Sequence, residues 1–210
     1  HNRVRRQRQM CIRDRLQAIA QAGEAYSKDA FDLERFKMIE SIAHQMFADI
    51  SQKPVTDVQN LFIAEKGYPT PKVDLRAGVI KDGKILLVRE REDGGWTLPG
   101  GWADVCETPS AGVIREVLEE SGLVVANPKL IAIRDRAIHD YQPPYPFHIY
   151  KMFFLCEYVS GEPKENIEVS EIEFFGQHKI PQLSQSRTLP RDIDMVFDAF
   201  YSEDFQVHVD

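Results

Sequence analysis

The chain has 210 residues, 43 % of them hydrophobic and 28 % charged, the make-up of a globular protein with one large domain or a domain and a small companion. No apolar run approaches the ~18 residues of a membrane span, and three unpatterned cysteines (Cys11, Cys106, Cys156) argue against a disulfide framework or a zinc site and for a reducing, cytoplasmic setting. The net charge of −7 is unevenly placed: residues 1–15 hold six arginines against Asp14, so the rest of the chain carries 20 basic and 32 acidic side chains and lacks the basic footprint of a nucleic-acid binder.

Residues 1–15, HNRVRRQRQMCIRDR, have no sustained apolar period. Their run QRQMCIRDR resembles a translated sequencing adapter, so the segment is expected to be a non-native or disordered tail that takes no part in the fold. Leu16–Ala22 reads as a short helix ended by Gly23. Asp29 is placed to cap a long helix reaching about Ser51, with Phe36, Ile39, Ala43, Met46 and Ile50 as its buried stripe. After Pro54, Thr56 is expected to cap a third helix that buries Val58, Leu61 and Phe62 and stops at Gly67. Three short helices enclose little surface alone. This small all-helical domain, residues 16–67, is therefore expected to lean on a neighbour or on a second copy, giving a homodimer. An independent binding module is the alternative. A helix-turn-helix DNA reader is disfavoured by eight acids between Glu24 and Glu65.

The second domain is expected over residues 68–210, after the stiff linker Tyr68-Pro69-Thr70-Pro71. Val73–Ile80 and Ile85–Arg89 read as strands joined by an Asp82-Gly83 hairpin turn. Asp93-Gly94-Gly95 turns the chain again, into Trp96-Thr97-Leu98. Thr108 and Pro109 start a helix and Gly122 ends it. Its residues Ile114, Val117, Leu118 and Ser121 share one face, while Glu116, Glu119 and Glu120 share another. Each like-charged pair at such spacing costs ~0.2–0.5 kcal/mol. Three carboxylates so gathered, beside the Pro99-Gly100-Gly101 turn, ask for a compensating charge, and a hard divalent cation is the natural candidate. Val124-Val125, Leu130–Ile133, Ile149–Tyr158 and Ile172–Phe175 read as further strands, and Arg191–Tyr201 as a closing helix.

The stretch Gly101–Leu123 resembles the Nudix box. Its pattern of glycine, glutamate, arginine–glutamate, paired glutamates and a closing glycine falls on Gly101, Glu107, Arg115, Glu116, Val117, Glu119, Glu120, Gly122 and Leu123, with no departure. At average residue usage a chance match has odds on the order of 10⁻⁹ per starting position. The segments YSKDAFDLERF and EKGYPTPKVD resemble, more loosely, the helical module ahead of Nudix hydrolases that act on X-linked nucleoside diphosphates. The implied fold is α/β: a Nudix α/β/α sandwich with a mixed sheet, preceded by the helical domain.

The resemblance implies metal-dependent hydrolysis of the pyrophosphate in a nucleoside diphosphate linked to another moiety. ADP-ribose, CDP-alcohols such as CDP-choline, and nucleotide sugars are the substrates in view, with Mg²⁺ as the cofactor and Mn²⁺ as its alternative. By the family pattern Glu116 and Glu120 are metal ligands, Glu119 is a ligand or the base on the attacking water, and the carbonyl of Gly100 (or Gly101) completes the set. Arg115 and Glu107 are implied to be an ion pair that orients these groups. A further acid from beyond the box is implied as catalytic base, Glu168 first and Glu171 second. For substrate contacts the residues give only candidates: Arg76, Arg89 and Tyr141, with Arg134 and Arg136 behind them and the proline- and ring-rich stretch His139–Phe147 as a base-stacking or capping loop. A nucleotide-derivative sensor that does not cleave is an alternative, although this chain keeps every box acid. An RNA-processing enzyme on the same scaffold is another, opposed by the acidic body. No membrane partner is expected, and nucleic acid is not a favoured one.

Overall fold

The computed structural model describes residues 2–62, 67–164 and 167–210, without the side chains of residues 2–8, 11, 61 and 62. It divides into two compact units: residues 1–71 with 143–148, and residues 72–142 with 149–210.

The first unit is helical: α1 (Asn2–Tyr26), α2 (Ala30–Ser51) and α3 (Val55–Phe62). Asp29 caps α2, its carboxylate accepting from the N–H groups of Phe31 and Asp32. Four expectations need correction. Helix α1 does not begin at Leu16 but carries residues 2–15 as well, because Arg, Gln and Met are good helix formers and no Gly or Pro interrupts before Gly23. Nor are those residues all idle in the unit: Arg13 is buried, donates to the Pro146 carbonyl (2.8 Å) and lies 4.3 Å from the centre of the Phe47 ring. Gly23 does not stop α1; it lets the Phe36 ring of α2 come within 2.3 Å of where a Cβ would stand. Thr56 lies inside α3, whose first N–H groups turn back to the Pro54 carbonyl instead. The expected end of α3 at Gly67 falls on residues 63–66, outside the described residues. Phe47, Ala48 and Val58 form this unit's small core, with Met10, Val55 and Phe147 against it.

The second unit holds β1 (Lys72–Lys81), β2 (Lys84–Glu90), β3 (Trp96–Thr97), α4 (Pro109–Ser121), β4 (Leu123–Asp135), β5 (Ile149–Gly161), β6 (Val169–Gly176), α5 (Pro190–Tyr201) and β7 (His208–Val209). The strands run β3-β2-β1-β5-β4-β7, with β6 also paired to β2. Strand β1 pairs parallel to β5 and antiparallel to β2, so the sheet is mixed. The two strands expected around Val124 and Leu130 are one long bulged strand, kinked where Asn127 takes a left-handed φ of 48°.

Alternation along the strands makes two cores. Leu75, Ala77 and Val79 of β1, with Leu86, Phe154 and Cys156, pack under Val113 and Val117 of α4. Ile80, Ile85, Leu87 and Phe153 point the other way, to Ile193, Val196 and Phe197 of α5. Each fully buried aliphatic or aromatic side chain here contributes ~1.5–3 kcal/mol. The result is the expected α/β/α sandwich, with α4 on one face and α5 on the other.

Candidate active site

The box helix α4 is built as its sequence dictates. Thr108 accepts from the Ala111 N–H, Pro109 occupies the first turn, and Gly122 closes the helix at φ 74°. Its buried face is not the one expected. Gly112, Val113, Glu116, Val117, Glu120 and Ser121 face inward, while Leu118 is half exposed and Glu119 is exposed. The inward stripe carries two of the three glutamates, so the acids divide: Glu116 and Glu120 lie beneath the turn before the box, and Glu119 stands outside.

That turn, Leu98–Gly101, lies across β1. The Leu75 and Ala77 N–H groups donate to the Gly101 and Pro99 carbonyls at 2.8 and 2.9 Å. Gly100 has φ 142°, and a Cβ there would stand 2.0 Å from the Leu75 carbonyl oxygen, so only glycine fits. The Gly100 N–H donates to Glu120 Oε2 at 2.8 Å. A Cβ on Gly101 would meet Glu116 Oε2 at 2.9 Å, so glycine keeps the space over that carboxylate open.

Arg115 is the hub of the exposed side. Its Nε and Nη2 meet Glu107 at 3.0–3.2 Å, and its Nη1 donates to Glu116 Oε1 (2.9 Å) and Glu119 Oε2 (2.8 Å). Hydrogen bonding to Glu107, then to Glu119 and Glu116, raises its pKa further above the ordinary arginine value. Burial raises the Glu116 carboxyl and pushes Glu120 up to about 8, with Glu90 and Glu116 adding to the latter while Arg76 and the Gly100 N–H work against it. Burial disfavours the charge on both acids, and a divalent cation with oxygen ligands would relieve that penalty. The donor set (carboxylates of Glu116, Glu120 and Glu119, with a turn carbonyl) and the open space over Gly101 fit such an ion. As they stand, no three His, Cys, Asp or Glu side chains among the described residues converge closely enough to hold one. The Arg115 guanidinium spans Glu116 and Glu119 instead, so binding requires Glu119 to exchange that partner.

Beyond the helix, Glu168 precedes β6, and its carbonyl accepts from the Arg91 N–H. Its charge acts on Glu90, which sequence reasoning missed. Glu90 is buried, pairs with Arg187 Nε at 2.9 Å, and adds to the negative field at Glu120. The signal was present: Glu90 is in phase with the buried Leu86 and Val88 of β2. Glu171 faces Arg89 across the β2–β6 ladder and is ion-paired to it.

The three substrate-contact candidates have other work. Arg76 is buried and bound to Asp74 (2.8 Å) and to the Leu98 carbonyl (3.1 Å). Tyr141 is buried and donates to Asp192 (2.8 Å), and burial with the Asp192 charge raises its pKa. Arg89 is spent on Glu171 and the Gly94 carbonyl. Arg134 pairs with Asp192, and Arg136 is buried with a long (3.4 Å) bond to the Ser186 carbonyl. The default for an arginine, a solvated surface position, was equally wrong for Arg76, because its partner Asp74 lies two residues away on the same strand face.

Comparison with known proteins agrees with this geometry. Residues 74–196 match the family model described as the NUDIX domain, and residues 10–62 match one described as a UDP-X-like, N-terminal oligomerisation domain. The chain is 41 % identical over 184 residues to Bacillus subtilis YjhB, provisionally described as an ADP-ribose pyrophosphatase, covering 88 % of each chain. A Streptococcus suis ADP-ribose pyrophosphatase structure matches 67 % of this chain and all of its own, at 35 % identity and a TM-score of 0.62. A UDP-X diphosphatase structure matches 95 % of this chain and 97 % of its own, at 28 % identity and a TM-score of 0.62.

Proposed function

The chain belongs to the Nudix family and is a pyrophosphohydrolase, and from that premise we propose that it cleaves nucleoside diphosphates linked to a second moiety, with Mg²⁺ as cofactor. The products are a nucleoside monophosphate and the phosphorylated moiety. The observation that carries this reading is the burial of Glu116 and Glu120 beneath the Gly100–Gly101 turn, an arrangement that leaves negative charge in need of a cation.

The cation, when bound, neutralises charge on the pyrophosphate and lowers the pKa of water. The chain's own residues do the rest. Glu116 and Glu120 supply its carboxylate ligands with the Gly100 carbonyl, and Glu119 is a ligand or takes the proton of the attacking water. Arg115, fixed by Glu107, sets the orientation of Glu116 and Glu119. Glu168 is assigned as the second candidate base, ahead of Glu171, because Glu171 is committed to Arg89. ADP-ribose leads the substrates because the two relatives so described are 41 % and 35 % identical to this chain, against 28 % for the UDP-X diphosphatase; UDP-linked and CDP-linked compounds such as CDP-choline follow.

Two further assignments belong to this reading. Ile12, Ile19 and Tyr26 recur every seven residues on α1, all more than half exposed, and Phe31, Met38 and Ile42 are exposed on α2. Such apolar helical surface supports a homodimer through the helical unit. Cys106 and Cys156 are free thiols, which suits the cytoplasm. Among the described residues no helix is long and apolar enough to cross a membrane.

The test is phosphorus NMR of the products from a panel of nucleoside diphosphate derivatives, with Mg²⁺ and then Mn²⁺. Cleavage at the pyrophosphate, abolished by EDTA, is the expected result. Undiminished cleavage in excess EDTA would overturn the metal-dependent reading.

A further inference from the structure

One residue of the active-site turn, Leu98, is gripped at both of its backbone polar groups, which lie on successive peptide units, by side chains distant in sequence. The Leu98 N–H donates to Thr188 Oγ1 at 3.1 Å, and the Leu98 carbonyl accepts from Arg76 Nη1 at 3.1 Å. Thr97 Oγ1 also lies 3.1 Å from that carbonyl and 2.8 Å from Thr188 Oγ1. Because a hydroxyl has one hydrogen, the ring closes in one sense: Leu98 N–H to Thr188, Thr188 to Thr97, Thr97 to the Leu98 carbonyl. Arg76 is itself fixed, its Nε and Nη2 on Asp74, and Asp74 accepts in turn from Lys151 on the adjacent strand β5. Arg76, Asp74, Lys151, Thr97 and Thr188 are all buried.

The consequence falls on Gly100. The carbonyls of Pro99 and Gly101 are taken by β1, and that of Leu98 by Arg76 and Thr97. Among the described residues, the Gly100 carbonyl is the one in the Leu98–Gly101 turn with no hydrogen bond, while its N–H holds Glu120. Buried ion pairs of the Asp74–Arg76–Lys151 kind seldom add net stability over apolar residues of the same size. Their value here lies in direction: through Arg76 they fix the Leu98–Pro99 peptide, next to the Thr97–Leu98 peptide that Thr188 holds.

We propose that Arg76 and Thr188 are positioning residues for the metal site, clamping the backbone on both sides of Leu98 so that the Gly100 carbonyl is left out of the pairing with β1 and the Gly100 N–H donates to Glu120. Neither side chain touches the ion or the substrate. The proposal deepens the metal-dependent reading above and rests on it.

The experiment measures Mn²⁺ affinity by calorimetry, with kcat, KM and thermal unfolding in chelator, on the full-length protein and three variants. Thr188→Val removes the hydroxyl at nearly constant volume, Thr188→Ser restores it, and Arg76→Lys keeps the charge without the fork. Thr188→Val should bind Mn²⁺ about tenfold more weakly, within the ~10–100-fold range for outer-shell partners. It should lower kcat with KM nearly unchanged, and Thr188→Ser should recover most of both. Arg76→Lys should show the same signature, less fully recovered because lysine lacks the planar donors. If wild-type protein binds Mn²⁺ and Thr188→Val binds it equally well, the clamp is overturned while the metal reading stands. Affinity loss accounted for by the unfolded fraction alone also overturns it. If wild-type protein binds no Mn²⁺, the metal reading fails and the clamp fails with it.

Discussion

Among the described residues of the helical unit the buried apolar ones are few and mostly small: Ala20, Ala43 and Ala48, with Phe47 and Val58. In the sheet unit each face of β1 has its own closed core, one beneath α4 and one beneath α5. The polar interiors differ as well. The helical unit buries Arg13, Gln17, Gln21 and His44. The sheet unit buries Asp74, Arg76, Lys151, Asp192 and two glutamates of α4, all within reach of the turn or of the α5 start. The lesson is a division of labour. One unit is closed on its own cores and holds the box acids proposed to carry the chemistry; the other leaves apolar helical surface exposed, the face proposed above to meet a second copy.

The sharpest way to break that division is to remove one buried acid. Glu120→Gln should lower kcat/KM by ~10²–10³, the range for deleting a group that manages charge in a transition state. Light scattering should find its assembly unchanged. Glu119→Gln should lower turnover strongly too, with the fold intact by circular dichroism. The converse strike is Ile19→Glu with Met38→Glu, which should shift the protein to monomer in sedimentation while per-site turnover stays within about twofold. A large loss of turnover there would mean that the two units share the chemistry.

Within the helical unit, Arg13→Ala should cost ~1.5–3 kcal/mol in denaturant unfolding, the range for a lost hydrogen bond to a charged group. An unchanged midpoint would return residues 1–15 to the status of an idle tail. A pH-dependent effect belongs to the sheet unit. The Glu120 carboxyl titrates near 8 when folded, against its ordinary 4.5. The folded state therefore holds this proton more tightly than the unfolded chain. In chelator its contribution is fully present below about pH 4.5 and is lost as pH rises through about 8. Glu120→Gln should flatten that decline, and a wild-type melting temperature that rises over the same window would contradict it. The least effect is expected of Arg89→Ala, whose partly exposed pair with Glu171 is worth ~0–1 kcal/mol and whose loss should leave KM unchanged.

Local chemistry was readable in advance because it is written at fixed spacing. Asp29 and Thr108 cap their helices, Asp82-Gly83 turns the hairpin, and the box residues stand at their intervals. The inward face of α4 was not readable, since two stripes three and four residues apart overlap on one helix: Ile114/Val117/Leu118/Ser121 and Val113/Glu116/Val117/Glu120. What decides between them is the Gly100 N–H, a donor from another segment of the chain that bonds the Glu120 carboxylate below the turn. The same reason hid the roles of Tyr141 and Glu90, although the alternation of β2 marks Glu90 as inward. Their partners Asp192 and Arg187 are 51 and 97 residues away, and periodicity carries no record of such distant charges.

The short run Pro143–His148 sits between β4 and β5 in the chain yet belongs with the helices, where Pro146 receives Arg13 and Phe147 joins the small core. The helical unit is therefore not a bead that one cut could detach. A transplant of residues 1–71 onto another protein would arrive without its last wall, and the donor would keep a peptide whose companions had left. Grafting experiments on this architecture need to move both pieces or rebuild the second.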